Sequence, residues 1–450
     1  MERTIVFGER EYGCLRSHLF DDMTREQAAF LLATVVETET VLKLLVREVV
    51  PLVGNDFVEH SDARLVIQPA ALAAIMKRAA AEGASVVLVH THPGATDTVG
   101  FSEVDDAGEP KIFANIAERV SGRPHASMVF GQSAVAARIW DAGQNCPVER
   151  IVVVGPRMIV WTKRGASYDD RYDRQVRAFG LAGQQALAGL TVGIAGCGGT
   201  GSVVAEQVLR LGVGKVIVID PDRVEESNVT RVYGSTAHDA RRTVPKVDLV
   251  ARLGTALGRP DAVEPIVGDV RDTGVARRLA AADVLFGCTD SHWSRLILNR
   301  IAEQFLIPLI DLGTRIDARG GDVRSIAGRV SILLPGTPCL FCSGVIRAEQ
   351  IAAEALPEDQ RHRLANEGYV QGVENHAPSV ISLNTVTAGL AVTEFLRLAA
   401  GFGSEIGEGQ IVYNADQADT RRTVFVAEPT CWCASGEAYA RGNAIPLPMR

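Results

Sequence analysis

Cysteine is scarce: eight residues in a chain of 450 are too few for a disulfide framework at this size. Long apolar runs are missing as well. The best, Ile151 to Trp161, is broken by Pro156 and Arg157 and falls short of the roughly 18 residues that mark a membrane span. The N-terminus, Met-Glu-Arg-Thr-Ile-Val-Phe-Gly-Glu-Arg, carries charges where a signal peptide needs an apolar stretch. No basic excess exists either: 46 Lys and Arg against 54 Asp and Glu leave a net charge of −8, which counts against a large nucleic-acid footprint. Despite 43 glycines there is no repeat and no low-complexity tract. What is there is ordinary globular composition, 47 % hydrophobic and 22 % charged. At roughly 100–200 residues per domain, the length fits two or three domains. The expectation is a soluble, reduced, cytoplasmic protein with no membrane and no nucleic-acid partner.

The useful break lies near residue 166, where the apolar run gives way to Lys163-Arg164-Gly165-Ala166-Ser167. Before it the pattern is mixed. Arg25 to Leu32 reads as a helix, Thr40 to Val50 as a strand, Pro69 to Glu82 as an amphipathic helix and Ser85 to Val89 as a buried strand. After it, Leu190–Ala195, Val216–Ile219, Val284–Phe286 and Pro308–Ile310 are short apolar strands separated by helical segments. That alternation calls for an open, largely parallel sheet. The expected organisation is an α+β domain over 1–166 and a doubly wound α/β domain over 167–450.

The strand Val86-Val87-Leu88-Val89 runs into His90-Thr91-His92-Pro93. Residues i and i+2 of an extended segment face the same side, so both imidazoles can reach one ion. Ten residues after His92, Ser102-Glu103-Val104-Asp105-Asp106 reads as a helix start with Ser102 as N-cap, which puts Asp105 one turn in as a third ligand. Three ligands and an open fourth position describe a catalytic zinc site rather than a structural one. Singly, His-x-His and Ser-x-x-Asp are common without any metal. Together they resemble the JAMM (JAB/MPN) metalloproteases, which remove ubiquitin-like proteins. The resemblance implies that His90, His92 and Asp105 hold zinc, that an upstream Glu in a helix takes a proton from the bound water, and that Ser102 stabilises the oxyanion. Glu26 matches that Glu, with Glu37 and Glu39 as alternatives. One departure is the segment Gly94 to Phe101, two residues longer than in the commonest eukaryotic form, so substrate specificity does not carry over.

The second constellation begins at the strand Leu190 to Ala195, followed by Gly196-Cys197-Gly198-Gly199-Thr200-Gly201 and a helix from Ser202 to Leu211. Glycines permit close backbone approach, and a helix N-terminus favours phosphate. The next strand ends in Asp220, where a carboxylate can hold ribose hydroxyls. Gly196, Gly198 and Gly201 alone also fit an NAD-dependent dehydrogenase. The residues that follow argue for a triphosphate with a metal: Asp222, Asn228, Arg231, Lys246 in Val244-Pro245-Lys246-Val247, and Cys288-Thr289-Asp290. Asn228-Val229-Thr230 also fits a glycosylation sequon, a reading set aside without a secretion signal. Cys197 and Cys288 read as small packing residues.

With Arg171-Tyr172-Asp173-Arg174-Gln175 upstream, this series resembles the E1-like activating enzymes of the ThiF and MoeB type from Tyr168 to Cys433. The resemblance implies a Rossmann-like fold that binds ATP and Mg²⁺. Gly196, Gly198, Gly199, Gly201, Asp220 and Asp222 would form the cradle, with Asn228, Arg231 and Lys246 around the phosphates. Asp290 would lie near magnesium and the α-phosphate, and Arg174 would reach into the partner subunit of a homodimer. The implied reaction is adenylation of the C-terminal glycine of a ubiquitin-like or sulfur-carrier protein.

Pro338-Cys339-Leu340-Phe341-Cys342 and Cys431-Trp432-Cys433 form two thiol pairs. Four thiolates suit a closed structural zinc, although C-x-C bites more tightly than the second C-x-x-C common in such relatives. Between Cys342 and Pro378-Ser379-Val380, where many relatives place a thioester-forming cysteine, Ser343 to Ala377 offers His362 and His376 but no thiol.

The expectation is a bifunctional enzyme of a bacterial modifier system: a zinc-dependent peptidase or isopeptidase followed by an ATP-dependent adenylyltransferase. Two other readings stay open, an adenylyltransferase with a non-catalytic JAMM-fold binding domain and, more distantly, an NAD-dependent dehydrogenase.

Overall fold

Residues 28–36 are apolar apart from one threonine, and the reason is burial on both faces. Ala29, Leu31 and Ala33 pack into one core, while Ala28, Phe30 and Leu32 pack into another on the opposite side. A strand covered twice shows no polar alternation. The computed structural model describes all residues except 62–64, 163–168, 320–321, 358–359, 361–362, 364–377 and 449–450. His362 and His376 fall outside the described residues. The chain divides into two units: Met1–Gly155 with Ile159–Gly165 and Ala440–Ala444, and Pro156–Met158 with Ala166–Tyr439 and Ile445–Arg450.

The first unit contains, in order, β1 (Glu2–Gly8), α1 (Glu9–Leu19), β2 (Ala28–Glu37), β3 (Val41–Pro51), β4 (Phe57–His60), β5 (Leu65–Ile67), α2 (Pro69–Glu82), β6 (Ser85–Thr91), α3 (Glu103–Arg119), β7 (His125–Phe130), β8 (Val135–Asp141), β9 (Gln144–Pro147), β10 (Arg150–Val154) and β11 (Ile159–Thr162). Nine strands form one mixed sheet in the order β11-β10-β1-β3-β2-β6-β7-β8-β9, and β4 pairs with β5. Helix α1 packs one face through Tyr12, Leu15 and Leu19. Helices α2 and α3 pack the other through Ile75, Met76, Ala79, Phe113 and Ile116.

One expectation is overturned here. Arg25 to Leu32 is no helix: Ala28 opens β2, and Arg25 and Glu26 lie in the segment before it. The continuous apolar run that suggested a helix belongs to a doubly covered strand, which periodicity cannot separate from a buried helix. The pairing also decides among the glutamates. β2 runs antiparallel to β6 with Ala28 opposite His90 and Ala33 opposite Ser85. Glu26 therefore lies at the histidine end, while Glu37 closes the far end of the strand, about 30 Å away at roughly 3.3 Å per residue.

In the second unit, α4 (Asp173–Ala188) precedes β12 (Thr191–Ala195), α5 (Gly201–Arg210), β13 (Lys215–Asp220), α6 (Ala237–Arg241), α7 (Lys246–Ala256), β14 (Val263–Val267), α8 (Thr273–Arg278), β15 (Val284–Gly287), α9 (His292–Phe305) and β16 (Leu309–Arg319). Then come β17 (Asp322–Leu333), α10 (Ala348–Glu354), α11 (Ile381–Ala400), β18 (Gly409–Asn414) and β19 (Asp419–Thr423). The sheet order is β14-β13-β12-β15-β16-β17-β18-β19. The first five strands are parallel and the last three join antiparallel. Successive strands run outward one way to β14 and the other way from β15, so the order reverses between β12 and β15. Ligands of open α/β sheets bind at such a switch point, beyond the carboxyl ends of the strands. The apolar segment at Pro308–Ile310 proves to be the start of an eleven-residue strand, whose polar remainder pairs with β17. Among the described residues, no helix is long and apolar enough to cross a membrane.

His125 locks β7 to β6. Its Nδ1 accepts from Val86 N at 3.1 Å and its Nε2 lies 3.0 Å from Val120 O, an arrangement that needs the neutral ring. Burial pushes its pKa down. The unfolded chain therefore takes up a proton that the folded unit refuses. The penalty is absent above the ordinary histidine pKa near 6.5 and grows as pH falls below it, by at most about 1.4 kcal/mol per pH unit. Urea unfolding between pH 7.5 and 5.5 should show this loss in the wild type and a shallower slope in His125→Gln; equal slopes would contradict it.

Candidate functional site

In the first unit, β6 carries His90 on its penultimate residue, and His92 follows just beyond the strand. Thr91 between them ties the neighbouring segment in place: Gln27 N donates to its Oγ1 at 2.9 Å, and Thr91 N donates to Gln27 O at 3.0 Å. Ser102 caps α3 as expected. Its Oγ accepts from Asp105 N at 3.2 Å, while Ser102 N and Oγ donate to Asp105 Oδ2 at 2.7 and 2.8 Å. Such a cap contributes about 1 kcal/mol; here it also fixes the Asp105 carboxylate.

The three side chains converge. His90 Nε2 is 3.2 Å from His92 Nε2 and 3.2 Å from Asp105 Oδ1, and His92 Nε2 is 3.4 Å from Asp105 Oδ2. A tetrahedral ion with ligand bonds of about 2.05 Å separates its donors by roughly 3.3 Å. The His90–His92 separation matches that spacing, and one ligand atom from each of the three residues lies within 4.8 Å of the others, close enough to share one ion. Glu26 Oε1 lies 3.9 Å from His92 Nε2, beside the cluster rather than in it. Electrostatics agrees with this geometry. Burial pushes the Asp105 carboxyl up, but hydrogen bonds from both histidines outweigh it and hold it well below the usual carboxylate range. The same hydrogen bond raises His92.

In the second unit, the turn after β12 is built for backbone proximity. Gly196 has φ +95°, and a Cβ there would sit 2.5 Å from Cys288 O. A Cβ on Gly201 would fall 1.8 Å from Gly196 O, whereas one on Gly198 would meet nothing within 4 Å. Gly196 and Gly201 are therefore structural necessities, and Gly198 leaves space open. Asp220, at the end of β13, is buried; its carboxylate accepts from Cys197 N at 2.5 Å and Asp222 N at 2.8 Å. Burial raises its pKa despite those bonds. Lys246 Nζ pairs with Asp222 Oδ2 at 2.7 Å at the start of α7. Asn228 is buried, and its side chain accepts from Glu225 N at 3.2 Å and donates to Ser227 Oγ at 3.3 Å. Cys288 N donates to Ala195 O at 2.8 Å, which brings the segment leading to Asp290 against the glycine turn. Burial pushes both Cys197 and Cys288 thiols up, as inert packing residues require. Arg231 is half-buried, while Asp290 and Arg174 are exposed.

The four remaining candidate thiols cluster. Sγ separations are 3.9 Å for Cys339–Cys342, 3.5 Å for Cys339–Cys431 and 3.6 Å for Cys342–Cys433. Zinc–thiolate bonds of about 2.3 Å place sulfurs roughly 3.8 Å apart in a tetrahedron, so the set fits one ion. The short Cys-x-Cys bite is accommodated because Cys431 stands at the N-cap of a one-turn helix that carries Cys433.

Several residues escaped the sequence. Asn384, 1 % exposed on α11, packs on the glycine turn: a Cβ on Gly199 would lie 2.3 Å from its Nδ2. Glu354 reaches back from α10 to cap α9, accepting from Ser291 Oγ at 2.6 Å, His292 N at 2.8 Å and Trp293 N at 2.9 Å. That contact steadies the turn right after Asp290. Asp311, fully buried opposite Gly287, is held by Arg329 at 2.6 Å and Arg295 at 3.3 Å. An Asn inside an apolar helix was the one visible signal; the partners of Glu354 and Asp311 are set by topology.

A glycine turn at the switch point of a doubly wound sheet, with a buried acid on the next strand, defines a nucleotide-binding α/β protein. Over residues 172–433 the sequence matches the ThiF family, and the chain belongs to that family. It is 27 % identical to the molybdopterin-synthase adenylyltransferase of Escherichia coli over 266 residues, 58 % of this chain and 94 % of that protein. It is 29 % identical to the SAMP-activating enzyme E1 of Haloferax volcanii over 175 residues, 38 % of this chain and 61 % of that protein. With the sulfur carrier protein ThiS adenylyltransferase of Bacillus subtilis the identity is 30 % over 174 residues, 38 % of this chain and 49 % of that protein. The chain thus spans less than two thirds of the last two relatives.

Gly201→Ala and Gly198→Ala should separate fold from ligand space. Thermal denaturation should show Gly201→Ala melting several degrees lower, consistent with a forced backbone shift of about 1–3 kcal/mol, and Gly198→Ala melting like the wild type. Equal melting temperatures would contradict the assignment.

Proposed function

We propose that the second unit binds ATP with Mg²⁺ and adenylates the C-terminal glycine of a ubiquitin-like or sulfur-carrier protein. The observation that carries this is the ThiF-family match on a glycine turn whose surroundings hold Asp220, Asp222, Asn228 and Lys246. The names of three relatives, a SAMP-activating enzyme E1, a molybdopterin-synthase adenylyltransferase and an adenylyltransferase of the sulfur carrier protein ThiS, support the substrate class. Asp220 would accept the ribose hydroxyls. Lys246, Asn228 and Arg231 would neutralise and orient the phosphates, and Asp290 would hold the reacting end in line. Such catalysis is mostly positioning and charge neutralisation. Exposed Arg174 on α4 is free to act on the other subunit of a homodimer.

We also propose that the first unit is a zinc-dependent peptidase or isopeptidase for the same modifier. His90, His92 and Asp105 would hold the ion, which when bound polarises the scissile carbonyl and lowers the pKa of water. Glu26 would take the proton from the attacking water and return it to the leaving amine. Ser102 would turn its hydroxyl proton from Asp105 Oδ2 to the developing oxyanion. The four cysteines would hold a second, structural zinc.

Two measurements test these roles. Pyrophosphate exchange into ATP should require a small protein ending in glycine, and Gly198→Ala should weaken MgATP binding at least tenfold without loss of fold; exchange absent with a confirmed partner would refute adenylation. Metal analysis should find about two zincs per chain. His92→Ala should lose one and Cys431→Ser the other; a single zinc unaffected by His92→Ala would refute the peptidase centre.

A further inference from the structure

Around the histidine cluster, one cation touches no proposed ligand yet grips the chain on both sides of one. Arg138, on β8, has a side chain only 9 % exposed. Its Nη1 donates to Asp106 Oδ1 at 2.5 Å, its Nε donates to Glu109 Oε2 at 2.8 Å, and its guanidinium lies over the Phe101 ring at 3.9 Å. Asp106 follows Asp105 directly. Glu109 is one helical turn beyond Asp105 on the same face of α3. Phe101 precedes the N-cap Ser102, and its ring centre stands 6.4 Å from that of His90.

Glu109 is itself anchored in the sheet. Buried at 3 % exposure, it also accepts from Ser127 Oγ of β7 at 2.6 Å and Trp140 Nε1 of β8 at 3.1 Å. The other end of the long segment between His92 and Phe101 is fastened to the same hairpin. Gln132 N donates to Ala95 O at 2.9 Å and Ser133 N to Thr96 O at 3.1 Å. Both ends of the connection between second and third ligand are therefore held by β7, β8 and their turn.

We propose that Arg138 is a positioning residue for the metal centre: by fastening Phe101, Asp106 and Glu109 to β8, it fixes the third ligand, Asp105, and sets the affinity of the site for zinc. This rests on the reading of His90, His92 and Asp105 as metal ligands. A planar fork is needed for the task, because lysine can satisfy one carboxylate but neither bridges two nor stacks flat on an aromatic ring. Partners just outside a coordination sphere typically change metal affinity 10–100-fold.

The test is zinc competition against a chromophoric chelator on the full chain, with the cysteine site followed in parallel by the thiolate charge-transfer bands of cobalt. Arg138→Lys, the charge-balanced pair Arg138→Gln with Glu109→Gln, and Phe101→Leu should be compared with the wild type. The first two should bind zinc at the histidine site at least tenfold more weakly, with cysteine-site binding and circular dichroism unchanged. Phe101→Leu, which leaves both ion pairs intact, should weaken it several-fold. If Arg138→Lys unfolds, the charge-balanced pair decides, since it leaves no buried charge unpaired. Folded variants with wild-type affinity at the histidine site would overturn the role of Arg138 alone. A wild-type chain that binds zinc only at the cysteines would overturn the metal centre and this inference with it.

Discussion

Burial of central strands on both faces governs where chemistry can occur in this protein. β2 and β6 offer almost no polar side chain along their length because each packs into a core on either side, and β12 is buried from Val192 to Ala195. Apart from Thr34 of β2, the polar and charged groups of these three strands stand at their ends. β6 ends at His90 and Thr91, β13 at Asp220, and β12 and β15 run out into glycine. Pairing then brings these ends together without help from loops: Ala28 faces His90, and Ala195 faces both Ile219 and Gly287. The rigid sheet sets the site, and the connecting segments adapt to it.

The electrostatic consequence is a set of buried or half-buried carboxylates, each with a different fixed partner. Asp105 is held by two imidazoles, Glu109 by Arg138, Asp220 by backbone amides and Asp311 by two guanidinium groups. A buried carboxylate stripped of its partner costs several kcal/mol, so each pairing fixes local geometry strongly. Asp220 differs from the others in being hydrogen-bonded by two backbone amides, Cys197 N in the glycine turn and Asp222 N just beyond β13. That leaves its oxygens chemically suited to a hydroxyl donor.

The strands, the His-x-His end and the glycine turn were legible because each depends on local sequence alone: an apolar run, a two-residue spacing, a turn that tolerates no Cβ at Gly196 or Gly201. The capping box at Ser102 and Asp105 was legible for the same reason. The segment around Glu26 was misread as helix because a doubly buried strand and a buried helix share one composition, and only the pairing of Ala28 with His90 separates them. Glu354, Asp311 and Arg138 were not legible. Their partners lie 62, 18 and 29 residues away, and nothing in the local pattern distinguishes them from solvated charges.

The proposed function has both centres serve one carboxyl-terminal tail in sequence, trimming before adenylation. The most direct measurement is formation of the acyl adenylate, by mass spectrometry, on a modifier supplied either with residues after its final glycine or already trimmed. The wild type should adenylate both forms, whereas Glu26→Gln should adenylate only the trimmed one. Equal adenylation of the extended form by wild type and Glu26→Gln would show that the two centres do not act on the same tail.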